Sequence, residues 1–337
     1  MTMANALPVI WFFIIGFGVI MYVLLDGFVL GIGILTPFAD DEEQRDTMMN
    51  TAAPIWDGNE TWLVLGGAGL FAAFPRAYSI VLSSLYLPVL LMLIALIFRG
   101  VAFEFRFKAE RSRWLWGVAF NVGSMFTAFA QGVILGALVE GMPLKGGKYL
   151  DGAFAWFSPF SMLTGVAVVF GYALLGATWI VLKTEGRLQR IAFDLTRPLM
   201  MAVIAFMLLV SAWLPFLDPI LRQRWFSWPN FLYMSPVPLL TALNAALLWR
   251  AVLKNRELAP FVLALCFFGL GFLGLVAGIW PNIVPPSLSI WEAAAPPSSQ
   301  GFTLVGALIM IPAVLGYTFY SYRVFRGKVN AESGYHH

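Results

Sequence analysis

Long apolar stretches separated by short polar connections recur along the whole chain. Nine of them approach or exceed the ~20 residues that an α-helix needs to cross a bilayer, where the backbone must satisfy its own hydrogen bonds. We therefore expect an all-α integral membrane protein with nine transmembrane helices. The second stretch is short and rich in glycine, so it must be buried against its neighbours. The predicted spans lie near 8–35, 60–75, 78–98, 115–138, 160–182, 197–217, 231–249, 260–280 and 302–322.

A short internal echo predicts how the helices are grouped. Residues Tyr22–Gly27 resemble residues Tyr172–Ala177, which would make spans 1–4 and 5–8 two similar four-helix bundles with one peripheral helix added. The first copy carries Asp26 where the second has Gly176, so the functional polar groups are expected in the N-terminal bundle. The predicted units are 1–140 for the first bundle, 155–282 for the second, 300–325 for the ninth helix and 326–337 for a cytoplasmic tail.

Composition agrees with a membrane protein and excludes other classes. The chain is 60% hydrophobic and 12% charged, whereas soluble domains are near 45–50% apolar and about 25% charged. Its 13 Trp and 30 Phe residues suit interfacial belts and a lipid-facing surface. A net charge of +3 is too small for a nucleic-acid-binding surface, so no nucleic-acid partner is expected.

Basic residues fall mainly on one side of the predicted membrane. With nine spans, 16 of the 21 Lys and Arg residues share a side with the C-terminus, which places the C-terminus in the cytoplasm and the N-terminus outside. We interpret the acidic first loop, 40–46, as a solvated loop. The basic connection 99–113 either contacts anionic lipid headgroups or acts only as a topological anchor.

Histidine and cysteine are nearly absent. The chain has Cys266 in a span and two histidines, His336 and His337, which are native or the remnant of a tag. Haem iron in membrane proteins is usually held by histidine, alone or with methionine, and no Cys/His/Asp cluster has the spacing of a zinc site. A haem or metal would therefore need ligands from another chain.

Asp26 is the one acidic residue, of 18, that lies well inside a long apolar stretch. A carboxylate at a helix centre costs roughly 2.5–3.5 kcal/mol. We therefore expect Asp26 to have partners inside a helix bundle, to carry protons, or both. Gly27 and Gly31 beside it form a small-xxx-small pair that lets another helix approach closely. Gln131, in the fourth span, is expected to make a helix–helix hydrogen bond.

Asp57 and Glu60 have the spacing of a capping box at the start of the second span. In that interpretation Asp57 accepts hydrogen bonds from first-turn N–H groups and Glu60 reaches back. The same carboxylates suit a proton relay, because a helix N-terminus stabilises an ionised acid whereas burial favours the protonated form. Trp56 and Trp62 are either interfacial anchors or, for one of them, a stacking surface for a quinone ring.

Arg99 and Glu104 lie near the cytoplasmic end of the third span. Arg99 either snorkels to the headgroups or pairs with an acid of the first or second span. Several ionisable residues thus share the cytoplasmic half of one bundle, and we interpret them as a proton entrance, with Arg99 and Glu104 as charge partners. The residues are Asp26, Asp57, Glu60, Arg99 and Glu104.

Motifs along the chain match a known family pattern. They are Asp26–Phe28 followed by Gly31 and Gly33, Ala53–Leu63, Leu70–Pro75, Phe98–Lys108, and near the end Trp280–Pro281 and Ser289–Ala293. On these residues the chain resembles subunit II of the cytochrome bd quinol oxidases over almost its whole length.

The resemblance implies a function for the complex and a place for this chain. Such oxidases reduce O₂ to water with electrons from quinol, in a bacterial inner membrane. Subunit I holds two haems b, one haem d and the quinol-oxidising loop; subunit II is haem-free, multi-pass and without catalytic residues, its N-terminus periplasmic. A small single-helix accessory subunit, membrane lipid and a bound ubiquinone are further partners that the resemblance allows.

The resemblance also implies roles for single residues. Asp57 and Asp26 match acids on a proposed proton route to the haems. Trp56 matches a region where a structural quinone has been proposed, and Trp62 a residue near a proposed O₂ entrance. Many members carry a second acid one turn after Asp26, where this chain has Val29. The compact chain with short later loops is more similar to the cyanide-insensitive branch.

Two other classes fit the residues alone. A proton- or ion-coupled secondary transporter would use Asp26 as its coupling site, because membrane acids and internal repeats are also transporter features. A purely structural scaffold that stabilises a catalytic partner overlaps with the oxidase interpretation.

Overall fold

The chain folds almost entirely into helices. The computed structural model describes residues 3–142, 144–145, 148–149, 152–217 and 219–329. The helices are α1 Met3–Leu35, α2 Glu42–Asn50, α3 Trp56–Ala73, α4 Pro75–Arg106, α5 Arg113–Glu140, α6 Pro159–Lys183, α7 Gly186–Leu217, α8 Pro219–Phe226, α9 Asn230–Met234, α10 Pro236–Leu253, α11 Leu258–Ile279, α12 Ile290–Ala293 and α13 Pro297–Val324. The two antiparallel hairpins pair β1 Leu144–Lys145 with β2 Lys148–Tyr149, and β3 Asn282–Val284 with β4 Leu288–Ser289.

Eight of the described helices are long and apolar enough to cross a membrane. The chain is therefore an all-α, multi-pass membrane protein, as the apolar pattern predicts. The stretch predicted at 60–75 is also helical, as α3, but it is not among those eight. Its first turns carry the polar residues Asp57, Asn59 and Glu60.

Helix α4 continues beyond its predicted end at 98 to Arg106. The prediction ended the span at the charge of Arg99, but Arg99 and Arg106 are both buried and paired with acids. Their charges therefore do not terminate the helix. Within α4 the backbone leaves helical geometry at Leu85. The bend precedes Pro88, whose missing N–H removes one hydrogen bond of the helix.

Helix α1 is the centre of the packing and contacts α3, α5 and α6. A Cβ atom on Gly31 would lie only 1.8 Å from the carbonyl oxygen of Tyr172, and one on Gly176 would lie 2.3 Å from the carbonyl carbon of Gly31. The backbones of α1 and α6 therefore touch at this glycine pair. The predicted close approach of a second helix beside Asp26 is confirmed.

The acidic first loop is exposed to solvent at residues 40–43, as predicted, but it is not an irregular loop. It forms α2, whose N-cap Asp41 accepts a hydrogen bond from the backbone N–H of Gln44 at 2.8 Å. The buried Arg106 of α4 donates to Glu42 Oε2 at 2.6 Å and to Asp46 Oδ1 at 3.1 Å. The acids of this loop thus neutralise Arg106 at the end of α4, which sequence spacing alone does not show.

Further ion pairs bring other helix ends to the same face. Arg187, at the start of α7, pairs with Asp40. Lys328 of the C-terminal segment lies 3.5 Å from a carboxylate oxygen of Glu185 and 3.0 Å from one of Glu257. We call this side, which holds the end of α1, α2, the end of α4 and the start of α7, the basic face.

We expect Arg106→Gln to destabilise the subunit by about 1–3 kcal/mol, because buried hydrogen bonds to charged partners are lost. The Arg106 guanidinium holds the pKa of Glu42 below its usual value of 4.5. A carboxylate with a depressed pKa stabilises the folded state above its unfolded pKa, and this contribution is lost as pH falls through the folded pKa.

Thermal unfolding of wild type and variant between pH 7 and pH 3 measures this effect. The difference in stability should be full at pH 7 and shrink below about pH 4.5, the usual pKa of Glu42. Arg111→Gln, at an exposed position of the same connection, is the matched control and should change little. A difference that stays constant over this pH range would show that the Glu42 pair contributes nothing.

The opposite face is closed by the segment between α11 and α13. The backbone N–H of Ala295 donates to the carbonyl of Ala73 at 2.9 Å, and the Trp11 indole donates to the carbonyl of Gln300 at 3.1 Å. Trp280 packs edge-on against Phe12, with ring centroids 5.3 Å apart. This segment therefore ties α13 to the ends of α1 and α3.

Candidate functional site

The centre of the site is an ion pair buried between α1 and α4. Asp26 is 1% exposed and Arg99 is fully buried. Arg99 Nη2 donates a hydrogen bond to Asp26 Oδ1. The sequence left two alternatives for Arg99, snorkelling to the headgroups or pairing with an acid. In the structure Arg99 pairs with Asp26. Each charge offsets the cost of burying the other.

Glu60 of α3 is the second carboxylate on this guanidinium. Its Oε1 lies 3.0 Å from Arg99 Nη1, and its side chain is 28% exposed. The guanidinium carbon lies 5.7 Å from the centre of the Trp56 ring, which itself stacks on Phe103. Two carboxylates thus share one cation, so the cluster has one negative charge more than its single guanidinium balances. That excess charge, next to a partly exposed acid, suits the uptake of one proton.

A hydrogen-bonded bridge connects Tyr22 of α1 to the second half of the chain. Tyr172 of α6 donates to Gln131 Oε1 at 2.6 Å, and Gln131 Nε2 donates to the hydroxyl of Tyr22 at 2.8 Å. Tyr22 lies one helical turn before Asp26 on α1. The helix–helix hydrogen bond predicted for Gln131 is confirmed.

The two tyrosines of this bridge occupy equivalent places in the internal echo of the sequence. The side-chain amide of Gln131 therefore joins the hydroxyl groups of Tyr22 and Tyr172, the first residues of the two similar stretches. The bridge had two signals in the sequence: Gln131, predicted to bond between helices, and the echo, which was interpreted as a sign of repetition.

A second polar contact reaches the site from α13. Asn59 donates to the carbonyl of Leu25 at 2.8 Å, and Tyr322 donates to Asn59 Oδ1 at 3.1 Å. A small cleft lined by Asn59, Tyr317 and Tyr322 lies between the start of α3 and α13. Neither Asn59 nor Tyr322 was a candidate in the sequence. A partner 263 residues away along the chain gives no local pattern.

The other predicted residues lie outside this cluster. Asp57 is exposed, and the predicted capping box is wrong: α3 begins at Trp56, so Asp57 lies inside the first turn and makes no capping bond. Glu104 is exposed and its partner is Lys108, at 3.7 Å. Trp62 is fully buried and packs edge-on against Phe17, with ring centroids 5.6 Å apart.

The donor set for haem or another metal is poor in the described part of the chain. Among the described residues, no group of three His, Cys, Asp or Glu side chains could hold a metal ion. Both histidines lie beyond residue 329, and Cys266 is exposed. Haem iron is usually held by histidine, alone or with methionine, so the described part of the chain lacks the usual haem ligand.

The fold and the site define a multi-pass helical membrane protein with a buried ion-pair cluster in its N-terminal half. Residues 7–325 match the family described as "Cytochrome bd terminal oxidase subunit II". The chain belongs to this family, and the resemblance seen in the sequence motifs is confirmed.

Relatives of similar length support the assignment. The chain is 28% identical to the cytochrome bd-I ubiquinol oxidase subunit 2 of Escherichia coli K12, over 97% of this chain and 96% of that one. It is 29% identical to the cytochrome bd ubiquinol oxidase subunit 2 of Bacillus subtilis, over 95% and 96%. A chain of the bd oxidase from Geobacillus thermodenitrificans has a similar fold, with a TM-score of 0.79 at 16% identity over 95% of this chain and 98% of that one.

Proposed function

We propose that this chain is the haem-free second subunit of a bd-type terminal oxidase, which couples quinol oxidation to the reduction of O₂ to water. Its roles are to support the haem-bearing partner subunit and to supply a route for cytoplasmic protons. The observation that supports the proton role is the Asp26–Arg99–Glu60 cluster, because an intramembrane ionisable group is costly and is kept for function.

The proposed arrangement keeps the predicted units 1–140, 155–282, 300–325 and 326–337, of which the last lies mostly outside the described residues. Nine helices, counting α3, would form two four-helix bundles and one peripheral helix. The basic face would lie in the cytoplasm and the N-terminus in the periplasm, because basic residues favour the cytoplasmic side. The two haems b and the haem d would belong to the partner subunit.

The proposed proton step uses residues of α1, α3 and α4. Asp57, exposed at the basic face, collects a proton and Glu60 accepts it. Protonation of Glu60 removes its charge, so Arg99 is left to pair with Asp26 alone. Glu60 thus supplies from α3 the second acid that α1 lacks at Val29. Uptake from the cytoplasmic side alone would create membrane potential without pumping.

Other proposals come from the family resemblance. A quinone contact at Trp56 and an O₂ route past Trp62 stay predictions, as do a bound ubiquinone, an accessory single-helix subunit and the link to the cyanide-insensitive branch. Glu104 is no longer proposed as a charge partner of the cluster, because its side chain lies at the surface and pairs there with Lys108. No contact in the described structure favours the alternative of a secondary transporter.

The complex itself tests the main proposal. A reduced-minus-oxidised spectrum of the protein, purified gently from its native membrane, should show haem b and haem d bands, with a second membrane chain co-eluting. Intact-complex mass analysis in mild detergent checks the composition. A complex without haem or without a partner chain under these conditions would contradict the proposal.

Proton uptake during turnover tests the roles of the single acids. We expect Glu60→Gln and Asp26→Asn to lower the rate of proton uptake by about tenfold or more, equal to at least 1.4 kcal/mol in the barrier, while haem content is retained. Glu104→Gln, which removes a surface acid of the same bundle, is the matched control and should behave as wild type. Wild-type proton uptake in Glu60→Gln would remove the relay role from that residue.

A further inference from the structure

Two hydroxyl groups of α5 are buried without a hydrogen bond inside the protein. Ser124 and Thr127 are both fully buried, and neither Ser124 Oγ nor Thr127 Oγ1 has a partner. Serine and threonine inside a helix usually donate to a carbonyl of the preceding turn. Thr178 and Thr196 of this protein do so, to Leu174 at 3.0 Å and to Ala192 at 2.7 Å. The two hydroxyls of α5 are therefore exceptions.

Thr127 lies on the side of α5 that faces Arg99, and Ser124 lies further along α1, at Gly33. A Cβ atom on Gly123 would lie 3.2 Å from Arg99 Cβ, and Thr127 follows Gly123 by one helical turn on the same side of α5. Ser124 packs against Gly33 of α1.

Two contacts between α5 and α1 show which residues of the two helices lie side by side. Gln131 bonds Tyr22, whereas Ser124 meets Gly33, so the two antiparallel helices run alongside each other between these contacts. Asp26 lies on the α1 segment between Tyr22 and Gly33. Thr127, between Ser124 and Gln131 on α5, is therefore level with Asp26.

The ion pair has unpartnered atoms of complementary kinds. Asp26 Oδ2 accepts no hydrogen bond, and Arg99 Nε donates none. Both side chains are at least 99% buried. A buried carboxylate oxygen and a buried guanidinium N–H without partners are rare and costly. The site thus offers one acceptor, one donor and two hydroxyls that can do either, which is the set of two to four partners that an internal water needs.

We propose that the junction of α1, α4 and α5 binds water, with the Ser124 and Thr127 hydroxyls, Asp26 Oδ2 and Arg99 Nε as its hydrogen-bond partners. A water there donates one proton to Asp26 Oδ2 and receives one from the water or hydroxyl that precedes it, so its own composition is unchanged. The water site would form the inner part of a proton route to Asp26. The proton route rests on the proposed function, whereas the water site does not.

A high-resolution cryo-electron microscopy map of the assembled complex tests the site directly. We expect density within hydrogen-bonding distance of Asp26 Oδ2 and Thr127 Oγ1 in wild type and in Thr127→Ser. The density should be lost in Thr127→Val and in Ser124→Ala/Thr127→Val. Thr178→Val is the matched control, because its hydroxyl bonds to its own helix, and the density should persist there.

Two results would overturn the site. One is a dry space with both hydroxyls turned onto carbonyls of α5. The other is density that survives unchanged in the double variant, which would show that the hydroxyls do not hold it.

Proton uptake by the same variants separates the site from the route. We expect Thr127→Val to slow uptake by about tenfold, equal to 1.4 kcal/mol in the barrier, with Thr127→Ser near wild type. Loss of the water with normal uptake would overturn the route and leave the site. A dry site with slow uptake in Asp26→Asn would overturn the site and leave the proposed function.

Discussion

Arg99→Leu is expected to prevent accumulation of the folded subunit. The variant would leave Asp26 without its cation in a fully buried place, and Glu60 would lose its ion pair with Arg99. Removing one partner of a buried ion pair costs about 3–5 kcal/mol, a large part of the 5–15 kcal/mol that stabilises a typical folded protein. The amount of assembled complex in membranes and its thermal unfolding midpoint measure the loss.

The double variant Asp26→Leu/Arg99→Leu tests whether the cost is electrostatic. Replacing both members of a buried pair by apolar residues is often neutral, so we expect assembly to recover even if proton uptake does not. Arg111→Leu, at an exposed position, is the control for loss of a positive charge. A double variant no more stable than Arg99→Leu would mean that Arg99 acts by packing, not by its charge.

Gly31→Ala is expected to have the second-largest effect. The added methyl group would lie 1.8 Å from the backbone oxygen of Tyr172, and a backbone atom cannot rotate away as a side chain can. Overpacking of a well-packed interior costs about 1–3 kcal/mol, and here the α1 and α6 backbones must separate. The separation would also stretch the Tyr22–Gln131–Tyr172 bridge.

The thermal unfolding midpoint of the complex again measures this effect. Gly271→Ala of α11 is the matched control, because no atom lies within 4 Å of a Cβ placed there. It should leave the midpoint unchanged or raise it slightly, since alanine is the better helix former. Equal midpoints for the two alanine variants would show that the contact of α1 with α6 contributes no stability.

The apolar pattern was sufficient to predict the helical membrane fold, because spans of about 20 apolar residues have few other structures open to them. The apolar pattern predicted the ends of helices less well where a charged residue was taken as the end of a span. Arg99 and Arg106 lie inside α4 because their charges are balanced by acids of other helices. Such compensation depends on tertiary contacts, so no local rule places the end of α4.

The candidate site was predicted in part for a similar reason. Asp26 stands out in the sequence because a carboxylate inside an apolar span has a high free-energy cost wherever it lies in the helix. Arg99 was predicted as a counter-ion for an acid of the first or second span. The capping box at Asp57 failed because the spacing of two acids fits a first-turn position as well as an N-cap. Asn59 and Tyr322 carry no charge and no spacing signal, so their contact became visible only in three dimensions.

The distance between Asp26 and Arg99 along the chain also has a consequence for biogenesis. Arg99 is synthesised 73 residues after Asp26, which at about 5–20 residues per second is a delay of about 4–15 s. For that interval the first helix meets the lipid without its counter-ion, and the neutral acid is the form that a bilayer tolerates. The carboxylate would therefore insert protonated and release its proton only when the fourth helix arrives, which makes the ion pair a late step of membrane assembly.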